Sequence, residues 1–186
     1  SLATEEDLGI EMAPHSTLNS WLQRLLFLLT GNFGNEGGMN IPNRLAPICG
    51  HSAEGATEPV TGTPLLCGLM ACAAIPDAID TDHPDRFRGM IVESSNPVHS
   101  LPDSKRFRDA FAKLDCLVVI DVAMTETARQ ADYVLPACSQ YEKAEATFFA
   151  GEMPSNTFHI RQPIFEPLGD TLPEAEIHAR LVEAMG

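Results

Sequence analysis

The sequence predicts an α/β fold with a doubly wound, mainly parallel sheet flanked by helices, and three observations support this. Residues 89–93 and 116–120 are short runs rich in Ile and Val without polar alternation, which is typical of strands covered on both faces. Between them, apolar residues recur at helical spacing over residues 103–114. A strand, a helix and a strand in this order form a right-handed parallel unit, and such sheets bind ligands beyond the carboxyl ends of their strands.

The helix between the two strands is predicted to begin at Asp103 or Ser104, because both residue types cap helix amino termini. Its apolar face consists of four residues at helical spacing: Phe107, Ala110, Phe111 and Leu114. A short helix is expected to start at Thr125 and to lead into a third strand, Asp132 to Leu135. Pro136 should end that strand, since proline has no backbone N–H to donate to a sheet.

The amino-terminal part, residues 1–88, is predicted to be helical and rich in loops. A helix is expected over Thr17 to Thr30, with Gly31 as its stop, and its apolar stripe should be buried: Leu18, Trp21, Leu22, Leu25, Leu26 and Leu29. A second helix is predicted from Thr63-Pro64 to about Ala74, because proline favours the first helical position, and Pro76 should break it.

The carboxyl-terminal part, residues 137–186, is predicted to be mixed, with a strand around Thr157 to Arg161 and a closing helix from Pro173 to Met185. Together with a βαβαβ core over residues 89–136, the whole chain 1–186 is expected to form a single α/β domain. The length is sufficient to bury a core, and 44% hydrophobic residues argue against disorder.

Composition excludes some classes of function. The formal net charge of -14 opposes general affinity for nucleic acid, which rests on clustered Lys and Arg. A bound dinucleotide is still compatible with this charge, because backbone N–H groups bind phosphate locally. No apolar run approaches the roughly 20 residues of a membrane span. Five Cys, an odd number, suit free thiols in a reducing compartment, so we expect a soluble, cytoplasmic chain.

Polar residues follow the predicted strands, where parallel sheets bind ligands. Ser95 and Asn96 come after the first strand, and Asp121 comes at the end of the second. Thr125 and Thr127 follow in the next turn. Each has a structural alternative: an Asx turn for Asn96, a turn or cap for Asp121, and simple capping of the next helix for the threonines. Ligand binding and these local roles both remain open from the sequence.

Other familiar chemistry is missing from the sequence. There is no Gly-x-Gly-x-x-Gly after a strand, no phosphate-loop Gly-Lys-Ser/Thr and no His-Glu-x-x-His. Cys67 and Cys72 lie five residues apart, and no Cys or His pair has the spacing of a zinc or iron-sulfur site. We therefore expect no metal site within this chain. His99, beside the Asn96 turn, is the one histidine that invites inspection.

Several of these motifs together resemble the pterin-cofactor oxidoreductases of the dimethyl sulfoxide reductase and formate dehydrogenase group. The similar segments are Ser95-Asn96-Pro97, Asp121, the Thr-Glu-Thr-Ala of residues 125–128 and the Ala-Asp-Tyr-Val-Leu-Pro of residues 131–136. The leucine-rich helix and its glycine-rich turn also match, so the resemblance covers roughly residues 8–186. After Thr147-Phe148 the chain departs from the family pattern, which has an Asn and then Glu-Gly-Arg.

The resemblance implies a Rossmann-like fragment of the large catalytic subunit. It implies bis-molybdopterin guanine dinucleotide, with molybdenum or tungsten, as the cofactor of the full-length enzyme. In this interpretation Asp121 accepts two hydrogen bonds from guanine, and Ser95, Asn96, Thr125 and Thr127 help to hold the nucleotide. The metal ligand lies in another part of such enzymes, so the isolated chain should be inactive. Its implied partners are the other domains and a redox subunit, and whether it binds cofactor alone is left open.

Two alternatives stay open at this point. One is a pterin-free scaffold domain like that in the large subunit of respiratory NADH:quinone oxidoreductase. The other is a non-catalytic interaction module, in which an exposed sheet edge pairs with a partner or with a second copy. The abrupt start at Ser1, without Met, suits an excised piece under any of these interpretations.

Overall fold

The computed structural model describes residues 2–39, 53–147 and 158–186. The chain divides into two compact units, Ser1–Pro47 with Thr147–His159, and Ile48–Ala146 with Ile160–Gly186. The departure from the family pattern after Thr147-Phe148, and Thr157 at the start of the strand predicted around Thr157 to Arg161, lie outside the described residues.

The first unit contains helix α1, Leu8–Glu11, and helix α2, Ser16–Leu29. The predicted helix is therefore confirmed, but the prediction that its leucine stripe is buried was wrong. Phe27 is the buried residue of α2, and five members of the stripe are 43–84% exposed: Leu18, Trp21, Leu22, Leu26 and Leu29. An amphipathic helix buries its apolar side only against a second layer, and the described residues of this unit offer little besides the short α1.

The second unit contains the predicted parallel sheet. Its strands are β1, Gly89–Glu93, β2, Cys116–Asp121, and β3, Tyr133–Pro136, in the order β1-β2-β3. Both pairings are parallel. The predicted parallel sheet is confirmed. Each of its three strands begins and ends within one residue of the predicted position.

Helices cover both faces of this sheet, as the doubly wound arrangement requires. On one face lie α3, Ile75–Ile79, α4, Pro97–Ser100, and α5, Ser104–Phe111, around one apolar cluster: Ile79, Val92, Val98, Phe107, Ala110, Phe111, Leu117, Val119 and Ala128. On the other face α6, Glu174–Met185, packs Ile177 with Ile120 and Ala137. Val119 and Ile120 are consecutive, so their side chains point to opposite faces of the strand.

The connecting helices follow the prediction in part. The Asp103 side chain caps α5 by accepting from Arg106 N at 3.2 Å, as expected. The short helix predicted from Thr125 is a single 3-10 turn, Ala128–Gln130. A separate two-stranded sheet pairs β4, Glu145–Thr147, with β5, His159–Arg161. β5 confirms the strand predicted around Thr157 to Arg161 over its described part, whereas β4 was not predicted.

The predicted second helix was wrong in both position and stop. Leu66 and Leu69 instead close a tight turn, in which Cys67 and Gly68 take φ values of 54° and 78°. Those left-handed conformations interrupt any helix. The helix begins later, with Cys72–Ala74 as a 3-10 turn, and Pro76 lies in the first turn of α3. Proline is tolerated there because the N–H it lacks would have no helical partner.

A largely buried ion pair fastens the start of α6. Lys143 Nζ donates to the two carboxylate oxygens of Glu174 at 2.5 and 2.6 Å, and the two side chains are only 14% and 17% exposed. Burial alone would raise the pKa of Glu174, but the hydrogen bond from Lys143, the backbone N–H of Glu174 and the charges of Lys143 and His178 together outweigh it, so the pKa lies below its ordinary value. Such a pair contributes stability above the unfolded-state pKa, and the contribution is lost as pH falls through the folded-state pKa.

Lys143→Met is therefore expected to destabilise the fold at pH 7 by about 2 kcal/mol, because it leaves the Glu174 carboxylate without its partner. The difference from wild type should shrink as pH falls below about 4.3, where an unpaired carboxyl becomes neutral. Urea unfolding at pH 7, 5 and 3 measures it. Lys105→Met is the control, because Lys105 is 81% exposed and its pair with Asp109 should matter little. A difference that does not change with pH would contradict the assignment.

Candidate ligand site at the carboxyl edge of the sheet

The three parallel strands end at one edge of the sheet. In the strand register Glu93 is opposite Ile120, and Asp121 is opposite Pro136. The loops that follow β1 and β2 therefore begin side by side. The loop after β1 turns at once, because Ser94 adopts a left-handed conformation with φ of 50°. This edge is where parallel sheets bind ligands, and it carries all five residues singled out from the sequence.

Asn96 and Thr127 join the two loops directly. Asn96 Oδ1 accepts from Thr127 N at 3.1 Å and from Thr127 Oγ1 at 2.8 Å. Asn96 Nδ2 donates to Glu126 Oε2 at 2.6 Å. Thr127 Oγ1 in turn accepts from Val98 N at 3.2 Å. Four hydrogen bonds thus connect residues about 30 positions apart, and we call this set of four residues the loop clamp.

The clamp engages two of the predicted ligand residues. Thr127 is fully buried, with 0% exposure, and its hydroxyl both donates to Asn96 and accepts from Val98. Asn96 is half-buried, and both ends of its amide have partners. Neither is merely a local cap, since each bonds to the other loop. A direct contact of either side chain with a ligand stays a prediction.

Asp121 combines a local role with an open oxygen. It is half-buried, and its Oδ1 accepts from Ala123 N at 3.0 Å, which forms the turn that the sequence allowed. No residue in the described ranges donates to its Oδ2. Thr125 is also half-buried, and its Oγ1 accepts from Ala128 N at 3.1 Å, so it supports the 3-10 turn as expected of a cap. Ser95 is exposed.

Backbone groups at this edge add donors. Among the residues that the structure describes, none accepts a hydrogen bond from the N–H groups of Ser95, Asn96, Val122 or Met124. Two of these groups lie in each loop. N–H groups without a protein acceptor bond to water or to the oxygens of an anion, so the edge offers donors for an anionic ligand beside the carboxylate of Asp121.

Glu126 was not singled out from the sequence, although it shapes the edge. Its carboxylate is exposed, and its pKa lies below the ordinary value, chiefly because Asn96 donates a hydrogen bond to it. His99 and Arg129 lower the pKa further through their charges. The only sequence signal was its place between Thr125 and Thr127. Nothing local shows that its partner lies 30 residues earlier.

A separate apolar cavity of about 280 Å³ lies between β3 and α6. Its lining is mainly apolar and includes Leu135, Leu172, Ile177 and Leu181. Leu135 is opposite Ile120 in the register, so this cavity belongs to the face under α6. Asp121, next to Ile120 in β2, projects toward the other face. The apolar cavity is therefore distinct from the polar edge.

The described residues contain no group of three or more His, Cys, Asp or Glu side chains arranged to hold a metal ion. None of their helices has the length and apolar character needed to cross a membrane.

The fold and this edge define a doubly wound α/β domain with polar side chains at the carboxyl ends of its strands, and comparison with known proteins gives its family. Residues 10–184 match the family model described as molybdopterin oxidoreductase. The chain belongs to the molybdopterin oxidoreductase family. The family resemblance found in the motifs is thereby confirmed, and family membership implies a molybdopterin cofactor.

Curated relatives extend this result. Trimethylamine-N-oxide reductase of Vibrio vulnificus (strain YJ016) is 36% identical over 100 residues, which are 54% of this chain and 12% of that protein. The F420-dependent formate dehydrogenase subunit alpha of Methanocaldococcus jannaschii is 37% identical over 112 residues, 60% of this chain and 16% of that protein. This chain therefore spans under a fifth of the length of these relatives. They do not favour the pterin-free scaffold.

A solved structure supports the fold. Acetylene hydratase from Pelobacter acetylenicus superimposes with a TM-score of 0.55 at 25% sequence identity, over 62% of this chain and 16% of that one. Its name denotes a hydration, whereas the curated relatives are named as reductases and a dehydrogenase. Similarity over this domain therefore does not identify a substrate.

Proposed function

We propose that this chain holds the nucleotide end of a molybdopterin guanine dinucleotide cofactor, carrying molybdenum or tungsten, in a larger oxidoreductase. The observation that supports this most directly is Asp121, a half-buried carboxylate with an open oxygen at the carboxyl edge of the sheet. Family membership supports the pterin, and the guanine nucleotide is the finer step of the proposal.

The chemistry of the edge suits guanine. A carboxylate accepts several hydrogen bonds, and guanine presents the N1–H and N2–H donors side by side on one edge. Asp121 keeps this capacity even while Oδ1 accepts from Ala123 N. Adenine has an acceptor at N1 and no amino group at C2, so the same carboxylate should discriminate against it.

The same edge suits the phosphates. The unpaired N–H groups of the two loops and the Ser95 hydroxyl would donate to phosphate oxygens, and Thr125 still has a hydroxyl proton to donate. The nearby carboxylates are already paired, since Glu93 bonds to His178 Nε2 at 2.6 Å and Glu126 bonds to Asn96. Local donors can therefore bind an anion although the chain carries a net charge of -14.

When bound, the cofactor would supply two-electron transfer at its metal. In this proposal the residues of the present chain bind and orient the nucleotide, and none of them is catalytic. The chain works as one cofactor-binding domain in the cytoplasm, together with the other domains of its enzyme and a redox subunit.

Asp121→Ala tests the proposal. Loss of charge-assisted hydrogen bonds to guanine should weaken nucleotide binding by about 1.5–3 kcal/mol, or roughly tenfold to a hundredfold. The first measurement is the amount of metal and GMP released per polypeptide from the full-length enzyme. The second is calorimetric titration of this chain with GMP and with AMP. Wild type should prefer GMP, and the variant should lose that preference.

Asp115→Ala is the matched control, because Asp115 precedes β2 at the opposite edge of the sheet and is 59% exposed. It should leave cofactor content and GMP binding unchanged. Equal GMP and AMP affinity in wild type, or unchanged cofactor stoichiometry in Asp121→Ala, would refute the guanine assignment.

A further inference from the structure

We propose that Glu126 is a positioning residue whose carboxylate fixes the orientation of the Asn96 amide, and thereby the spacing between the loops that follow β1 and β2. Only its effect on ligand binding rests on the proposed function. The positioning itself is a property of the chain without any ligand.

The hydrogen-bonding pattern of the clamp allows one orientation of the Asn96 amide. Its oxygen meets two donors of Thr127, and its nitrogen meets the acceptor oxygen of Glu126. A flipped amide would place N–H groups against the Thr127 donors and an oxygen against the carboxylate. It would lose the bond from Thr127 N and the bond to Glu126, whereas the Thr127 hydroxyl can donate or accept, so the Thr127 N–H and the carboxylate at position 126 select the observed orientation.

The clamp continues in the same direction at its other end. The Val98 N–H occupies a lone pair of Thr127 Oγ1, and the Thr127 hydroxyl proton goes to Asn96 Oδ1. The hydrogen bonds therefore run in one sense, from the backbone of α4 through Thr127 and Asn96 to the charged acceptor Glu126. The Asn96 hydrogen bond is the first cause of the lowered pKa of Glu126, so the acceptor at that end stays a charged carboxylate to lower pH.

Apolar packing and the clamp have separate roles. Val98 and Ala128 lie in the core cluster beside α5, so the bases of the two loops are already attached to the domain. Glu126 is exposed and outside that cluster. Changes at Glu126 should therefore alter the loops without unfolding the domain, which makes the residue a suitable probe.

The test exchanges the amide and the carboxylate at the two ends of one hydrogen bond, first singly and then together. Asn96→Asp places a second carboxylate where the amide nitrogen lies 2.6 Å from Glu126 Oε2, and the two charges repel. Glu126→Gln keeps an acceptor for Asn96. In the double variant Asn96→Asp with Glu126→Gln, the new amide donates to the new carboxylate and restores one bond.

The first measurement is amide hydrogen exchange of Val98 and Thr127 in the chain without ligand. We expect exchange roughly tenfold faster in Asn96→Asp, near wild type in Glu126→Gln, and recovery to within about threefold in the double variant. GMP affinity should fall and recover in the same order. If Asn96→Asp does not fold, Glu126→Lys replaces it, because a donor at position 126 opposes the Asn96 N–H groups and should speed exchange similarly.

The outcomes separate the two proposals. Recovery of exchange protection in the double variant, or faster exchange in Glu126→Lys but not in Glu126→Gln, supports the positioning role even if wild type binds no GMP. In that case the proposed function alone fails. Exchange that stays fast in the double variant, or that is equal in Glu126→Lys and Glu126→Gln, overturns the positioning role.

Discussion

Ile120→Asp is expected to unfold the second unit. Ile120 is 0% exposed in β2, the middle strand, and its side chain packs with Ala137 and with Ile177 of α6. An aspartate there buries a carboxylate among apolar side chains with no partner. The cost is on the order of 5 kcal/mol, which is comparable to the whole stability of many domains.

Ile91→Asp is the matched control for this change. Ile91 lies on β1 opposite Val118, on the same face as Ile120, but it is 56% exposed. The two variants share the residue change and the loss of β propensity, and they differ in burial. Urea unfolding followed by circular dichroism should show a large loss for Ile120→Asp and a small one for Ile91→Asp. Equal losses would mean that Ile120 is not under α6.

Phe107→Ala is expected to cost about 3–5 kcal/mol through the cavity it leaves. Phe107 is 1% exposed on α5, and its ring meets that of Phe111 edge to face, with centroids 5.9 Å apart. Val98 and Ala128 belong to the same apolar cluster, so the loops of the candidate site rest on this packing. The variant should therefore lose stability and also GMP binding.

Phe165→Ala provides the comparison, because Phe165 is 63% exposed. Its change in unfolding free energy should stay within about 0.5 kcal/mol. Thermal and urea unfolding of both variants measure the difference. A Phe107→Ala chain as stable as Phe165→Ala would show that α5 does not attach to the sheet through this side chain.

Local patterns were sufficient for the elements that form the core. The continuous apolar runs of β1 and β2 and the helical spacing of Phe107 and Phe111 depend on near neighbours in the sequence, and the structure confirms them. The apolar stripe of α2 shows the limit. Its periodicity indicated a helix correctly, but burial depends on a second surface that no local pattern specifies.

The site was predictable in place but not in detail. Strand ends located the edge, because parallel strands bring successive loops together. The partners of Asn96 and Thr127 were not predictable, since residue type allowed either a local cap or a ligand contact. The structure shows a third role, a hydrogen bond between the two loops. Its partners lie about 30 residues apart in the sequence and are brought together only by the pairing of β1 with β2. Pro76 was misjudged similarly, because proline both begins and ends helices.

The adjacency of Ile120 and Asp121 constrains how this gene can vary. The Ile120 side chain is buried beneath α6 and the Asp121 side chain lies at the polar edge, so a single inserted or deleted codon within β2 would turn each to the opposite face of the sheet. It would place a carboxylate in the apolar layer and an aliphatic group at the polar edge, so it would disrupt the fold together with the candidate site. Length changes among homologues should therefore fall in the connecting loops, while the six-residue span of β2 stays fixed.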